Sequence, residues 1–103
     1  MGTIVVKIGG VASDNLDLAF FSQIHYWQKQ GKKVVIVHGG GYYISEMMTR
    51  LGQEVVIKNG LRVTDAATLE ITRMVLLGQV QPLVTTKFLA EGFHALGLSA
   101  GSD

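Results

Sequence analysis

Apolar side chains recur along this chain in two rhythms. Thr3–Ile8 and Val34–His38 are short β-branched runs, the first closed by Gly9-Gly10 and the second by Gly39-Gly40-Gly41. Near-continuous apolar runs of this kind predict buried parallel strands, with Lys7 as a charged interruption. Between them Leu16, Phe20, Ile24 and Trp27 recur at helical spacing. Ser13 or Asp14 can cap that helix, and Gly31, flanked by Lys32 and Lys33, stops it. After the glycines, Ile44, Met47, Met48 and Leu51 predict a short helix from about Tyr43 to Leu51, ended by Gly52.

The rhythm then changes. Glu54–Ile57 and Leu61–Val63 flank Lys58-Asn59-Gly60, and Asn-Gly favours a tight hairpin turn with positive φ. Thr64 is placed to cap a helix running from Asp65 to about Leu77, with Asp65 complementing its dipole. Leu69, Ile71, Met74, Val75, Leu76 and Leu77 fall on more than one face of it, so it is expected to be buried on two sides. Pro82 opens a further helix that ends at Gly92, and His94–Leu98 is a third strand candidate. Strands alternating with helices predict an α/β fold: a three-layer αβα sandwich with a mainly parallel open sheet, plus a β-hairpin lid. Ligands of such sheets bind at the carboxyl ends of the strands. That edge collects Gly9-Gly10, Gly39-Gly40-Gly41 and Ser99–Asp103.

Composition narrows the function classes. The 103 residues suit one domain, and 48% hydrophobic with 17% charged residues suits a packed core. A net charge of +1 gives no electrostatic case for nucleic acid or a membrane surface. Without cysteine there is no disulfide or thiolate metal site. No apolar run approaches the ~20 residues of a membrane span, and the N-terminus reads as a strand, not a signal peptide. The default expectation is a cytoplasmic protein.

The chemistry lies in cations and amides. Lys7 is a charge near the end of an apolar strand; its ammonium must reach solvent or an anion, by snorkelling or by meeting phosphate oxygens. Gly9 and Gly10 offer backbone N–H groups beside it. Gly39-Gly40-Gly41 joins a strand to a helix N-terminus, which favours anions, although glycines also serve plain tight turns. The spacing is neither a Walker loop nor the dinucleotide fingerprint, whose third glycine would fall at Ile44. Arg62, on the second hairpin strand, can grip a carboxylate bidentately if the hairpin lies over the strand ends. His25, His38 and His94 lack metal-ligand spacing, and His38 reads as a hydrogen-bonded strand-end residue. Phosphoryl transfer can run on positioning and electrostatics of this kind, without a protein nucleophile.

Three segments carry a resemblance. Val5–Gly10 (VVKIGG), Val35–Gly41 (VIVHGGG) and Asn59–Asp65 (NGLRVTD) resemble the acetylglutamate kinases, a branch of the amino-acid kinase family; the third is the most specific to that branch. The resemblance covers nearly the whole chain. It implies the ATP-dependent phosphorylation of the γ-carboxylate of N-acetyl-L-glutamate, a step of arginine biosynthesis, with Mg2+ accompanying ATP. Lys7 would stabilise the transferring phosphoryl group, with Gly9, Gly10 and Gly40 donating to phosphates. Gly40, Gly41, Leu61 and Arg62 would hold the acetylated substrate, Arg62 on its α-carboxylate. The helix Asp65–Leu77 would serve as a homodimer helix. Two segments depart from the family pattern: Val80-Gln81-Pro82 stands where Val-Asn-Lys is frequent, and Gly97–Asp103 follows a Gly-Leu-Ser-Gly-x-Asp segment loosely. Family members are more than twice as long, and their nucleotide-binding half lies outside these residues. Residues 1–103 are thus expected to be the N-terminal, acyl-amino-acid-binding domain, inactive alone. The alternative is a non-catalytic small-acid-binding or dimerisation module of the same fold.

Overall fold

The computed structural model describes residues 2–9 and 15–99. Strands β1 (Thr3–Ile8) and β2 (Lys33–His38) pair in parallel, in register from Thr3↔Lys33 to Ile8↔His38. The helix between them, α1 (Leu18–Lys29), is capped by Asp17, whose carboxylate accepts the Phe20 N–H at 2.9 Å. The expected caps Ser13 and Asp14 lie outside the described residues. Helix α2 (Gly41–Arg50) follows directly on the glycine turn.

β3 (Ile57–Lys58) and β4 (Leu61–Arg62) form an antiparallel hairpin, shorter than the apolar runs suggested. Asn59 and Gly60 both take positive φ, 54° and 77°, the conformation that an Asn-Gly turn supplies at least cost. Helix α3 (Ala66–Val75) is capped by the Asp65 side chain on the Thr68 N–H at 2.8 Å. Thr64, expected as the cap, instead turns its hydroxyl toward the Arg62 carbonyl at 3.5 Å.

Pro82 does not begin a separate helix. The chain stays helical from α3 through one π turn (Leu76–Val80) into α4 (Gln81–Ala90). Pro82 has no N–H, and its ring crowds the carbonyl four residues back, at Gly78. The backbone widens there: the Gln81 N–H donates to the Leu76 carbonyl, a five-residue step characteristic of a π turn.

The core forms where α1, α2, α3 and α4 meet, around Ile24, Met48, Val75, Val80 and Phe88. Its aromatic part is edge-to-face, with Phe21 and Phe88 centroids 5.2 Å apart. Val34 and Ile36 bring one face of the sheet onto this core. The strands differ here from the fully buried runs expected. Their burial alternates, and Val5 (64% exposed), Val35 and Val37 lie on an open face with Lys7. His94–Leu98 is also corrected: it forms no strand, and the parallel sheet has two strands among the described residues. Gln81 Nε2 donates to the Leu98 carbonyl at 3.0 Å and ties that segment to α4. Among the described residues no helix is long and apolar enough to cross a membrane.

Candidate functional site

The glycine turn starts at the shared carboxyl end of the two strands. The Gly39 N–H donates to the Ile8 carbonyl at 3.2 Å, carrying the ladder one residue past β2. Gly40 is the N-cap of α2, and the Ile44 N–H donates to its carbonyl at 2.9 Å. Gly40 has no side chain, so no side-chain cap closes the first turn. Its amide dipoles point toward the strand ends, a setting that favours an anion.

Gly40 is also where another element comes closest. A Cβ at this position would stand 2.9 Å from Leu76 Cδ2 and 2.9 Å from Val80 Cγ2. Both belong to the π turn, so the glycine is needed for packing as well as for any ligand. Gly41 is less constrained, since a Cβ there would meet Arg62 Nη2 at an ordinary 3.6 Å.

The hairpin lays Arg62 across α2. Arg62 Nη2 donates to the Gly41 carbonyl and to Ser45 Oγ, both at 3.0 Å, and Nη1 makes a weak contact to Met48 Sδ at 3.6 Å. The two Nη2 donors are taken by these bonds and Nη1 faces Met48 Sδ, so neither donor fork of the guanidinium is wholly free: a carboxylate meets single N–H donors here or displaces the Ser45 or Gly41 bond. Leu61, next to Arg62, is 73% exposed. Ser45 was not among the residues singled out in the sequence. It lies four residues after Gly41, on the same helix face, which becomes informative only once Arg62 is placed over that face.

The structure therefore joins Gly40, Gly41 and Arg62, and adds Ser45 and Met48. Lys7 and Gly9 stand at the neighbouring strand end, Lys7 opposite Val37 in the ladder. Lys7 is exposed and has no hydrogen bond or ion pair with the Arg62 group among the described residues. Gly10 and residues 100–103 lie outside the described residues. His38 is a strand-end residue as expected, its Nδ1 donating to the Gly39 carbonyl at 3.0 Å. His25 stacks on Phe93 at 3.9 Å. Asp65, below Arg62 in the chain, titrates lower than an ordinary aspartate because the Thr68 backbone N–H and hydroxyl bond its carboxylate.

A cavity of about 300 Å³ lies elsewhere, between α1, β2, α4 and the segment 93–98, lined by Ile24, His38, Gln81 and Phe88 among others. None of Lys7, Gly40, Gly41 or Arg62 lines it. The strand-end edge that carries these residues is thus a surface feature and not part of that cavity.

Comparison with known proteins identifies the family and the fold. The model of the amino acid kinase family matches residues 2–102. An acetylglutamate kinase of Listeria monocytogenes serotype 4b is 61% identical over 99 residues, covering 96% of this chain and 40% of the relative. That of Leuconostoc mesenteroides is 48% identical over 103 residues, 100% of this chain and 42% of the relative. The crystal structure of smu.665 from Streptococcus mutans superposes with a TM-score of 0.89 at 41% identity, covering 95% of this chain and 40% of that one. The chain thus spans about two fifths of the length of the relatives it matches. A family match over almost every residue, with a shared fold, gives the conclusion: this chain belongs to the amino acid kinase family.

Proposed function

We propose that this chain carries the acyl-amino-acid-binding part of an acetylglutamate kinase. The observation that supports it most is the Arg62 strap, which fixes a guanidinium cation beside the open first turn of α2. In this reading Arg62 holds the α-carboxylate of N-acetyl-L-glutamate, Leu61 packs against the substrate and the Gly40-Gly41 backbone holds the rest of it. Lys7, with Gly9, Gly10 and Gly40, faces the phosphates. An oxygen of the γ-carboxylate attacks the γ-phosphorus of ATP while the bond to the ADP oxygen breaks. The products are the acyl phosphate and ADP. Negative charge spreads over the transferring oxygens, and a fixed ammonium with backbone amides stabilises it without reorganising.

Mg2+ enters this reading on the ATP phosphates. Among the described residues no group of three His, Cys, Asp or Glu side chains is placed to hold a metal ion. The reaction belongs to the cytoplasm, as a step toward arginine. The relatives' remaining length would supply the nucleotide pocket, so the 103-residue chain with ATP, magnesium and N-acetylglutamate should form little acyl phosphate trappable by hydroxylamine. Robust turnover would sink that part of the reading. Binding tests the rest by calorimetric titration of N-acetyl-L-glutamate. Arg62→Ala should weaken it by about 1.5–3 kcal/mol, the usual value of a charge-assisted hydrogen bond. An unchanged titration would remove Arg62 from the site.

A further inference from the structure

We propose that the π turn Leu76–Val80 is a positioning element for the glycine turn, with Val80 as its principal contact and Pro82 as its cause. The inference rests on the functional reading above for what the glycine turn binds, and goes beyond it in naming what sets that turn's shape.

Val80 is fully buried, at 0% exposure, and its Cγ2 approaches Gly40 so closely that a Cβ there would lie 2.9 Å away. Leu76 Cδ2 meets the same position from the start of the π turn, also at 2.9 Å. Two side chains from one turn therefore close on one backbone atom of the proposed substrate site. The contact cannot relax by a small glycine shift toward them, because interiors are packed without spare room. It holds the Gly39–Gly41 backbone against the strand ends.

The register of that contact depends on the π turn. Leu76 and Val80 lie four residues apart, and in an α-helix they would share a face with different spacing along it. The five-residue bond from the Gln81 N–H to the Leu76 carbonyl widens the helix between them. Pro82 cannot supply the N–H of an α-helical bond to Gly78, so the regular ladder is interrupted there, and the chain continues through a wide turn. The same turn joins α3, which follows the Arg62 hairpin, to α4. Gly40 and Arg62 are thus set by two ends of one continuous stretch of chain.

The test separates positioning from mere stability. Val84 is the control: it is buried on α4, belongs to the same core, and is not among the atoms nearest Gly40. Val80→Ala and Val84→Ala each remove the same atoms, and melting temperatures measured in parallel report the shared loss of stability. At a temperature where both are folded, Val80→Ala should weaken N-acetyl-L-glutamate binding at least fivefold and Val84→Ala less than twofold. A double-mutant cycle adds a readout that a structural role would not move. Gly40→Ala should weaken binding at least tenfold, and adding Val80→Ala should recover at least threefold of that loss. Adding Val84→Ala should recover none. Equal effects of the two valines in both backgrounds would overturn the proposal.

Failure of the functional reading shows differently, as no uptake of the acid by the unsubstituted chain. The positioning claim is then decided on the free protein by amide resonances of Gly39, Gly40 and Gly41. They should move in Val80→Ala and in Pro82→Ala but not in Val84→Ala; resonances unmoved by either would overturn it.

Discussion

Held at Nη2 by the Gly41 carbonyl and the Ser45 hydroxyl, the Arg62 side chain has already lost most of its rotamer freedom before any ligand arrives. Ordering a long side chain costs about 1.5–2 kcal/mol, so a prearranged guanidinium binds a carboxylate more strongly than a free one. In the proposed site Ser45 acts through its bond to Arg62 and not by touching substrate. Ser45→Ala should accordingly weaken N-acetylglutamate binding by less than Arg62→Ala, by about 0.5–1.5 kcal/mol, the net value of a neutral hydrogen bond. A titration giving equal losses would place Ser45 on the ligand itself. Asp65 supports the same region from below, as the cap of α3. Its folded-state titration lies below the usual aspartate value, so its contribution is full above the unfolded value and is lost as pH falls through the folded one. Melting should therefore drop on acidification below about pH 4 more steeply in the parent than in Asp65→Asn, which keeps a cap acceptor but does not titrate. Parallel pH–melting curves would remove Asp65 from the acid response. Lys7 was legible as a charge in an apolar strand, and its exposure agrees with that. Ser45 was not, because a serine inside a helix carries no signal until its partner is known.

At the scale of elements, helix α3 has two working faces. Thr68, Ile71 and Val75 are buried within the chain, while Leu69 and Met74 (57% exposed), with Leu77 of the following π turn, stand outside it. An apolar outer face on a helix is the geometry expected of a two-fold contact, in which the same patch meets itself. We predict that Leu69→Glu with Met74→Glu gives a smaller species in sedimentation velocity than the parent chain, with helical content unchanged. A parent that already sediments as a monomer would rule out α3 as an interface. Within the chain only one of the apolar faces of this helix is buried; that apolar residues fall on more than one face of it was legible in the sequence. The π turn was not. Proline is a helix opener in most contexts, and whether the chain breaks or widens there depends on what packs against it. Here Val80 and Leu76 have Gly40 to pack on, and the helix continues. The alternating burial of β1 and β2 escaped the sequence for a related reason. An apolar run such as VVIV reads the same whether one face or both are covered.

For the whole molecule, the consequence of that open face is an uneven distribution of stability. The radius of gyration is 15.4 Å, above the roughly 13 Å of a compact 100-residue domain. The helical side of the chain holds the fully buried residues Ile24, Met48, Val75 and Val80. The sheet side has two paired strands with Val5, Val35 and Val37 exposed. A two-stranded sheet gains little from its own hydrogen bonds, and each valine left in water forgoes about 1.5 kcal/mol or more of burial. Local opening should follow this order. In native-state hydrogen exchange the amides of Val5, Val35 and Val37 should exchange before those of Ile71, Val75 and Phe88, with a difference of at least tenfold in protection. Uniform protection across strands and helices would mean that the open face is covered in solution. The proposed site lies where the two regions meet, with Lys7 and the glycine amides at the strand ends and Leu76 and Val80 behind Gly40 in the helical core. Ligand uptake should therefore slow exchange at Gly39 to Gly41 and at the ends of β1 and β2, while leaving the amides around Phe88 nearly unchanged.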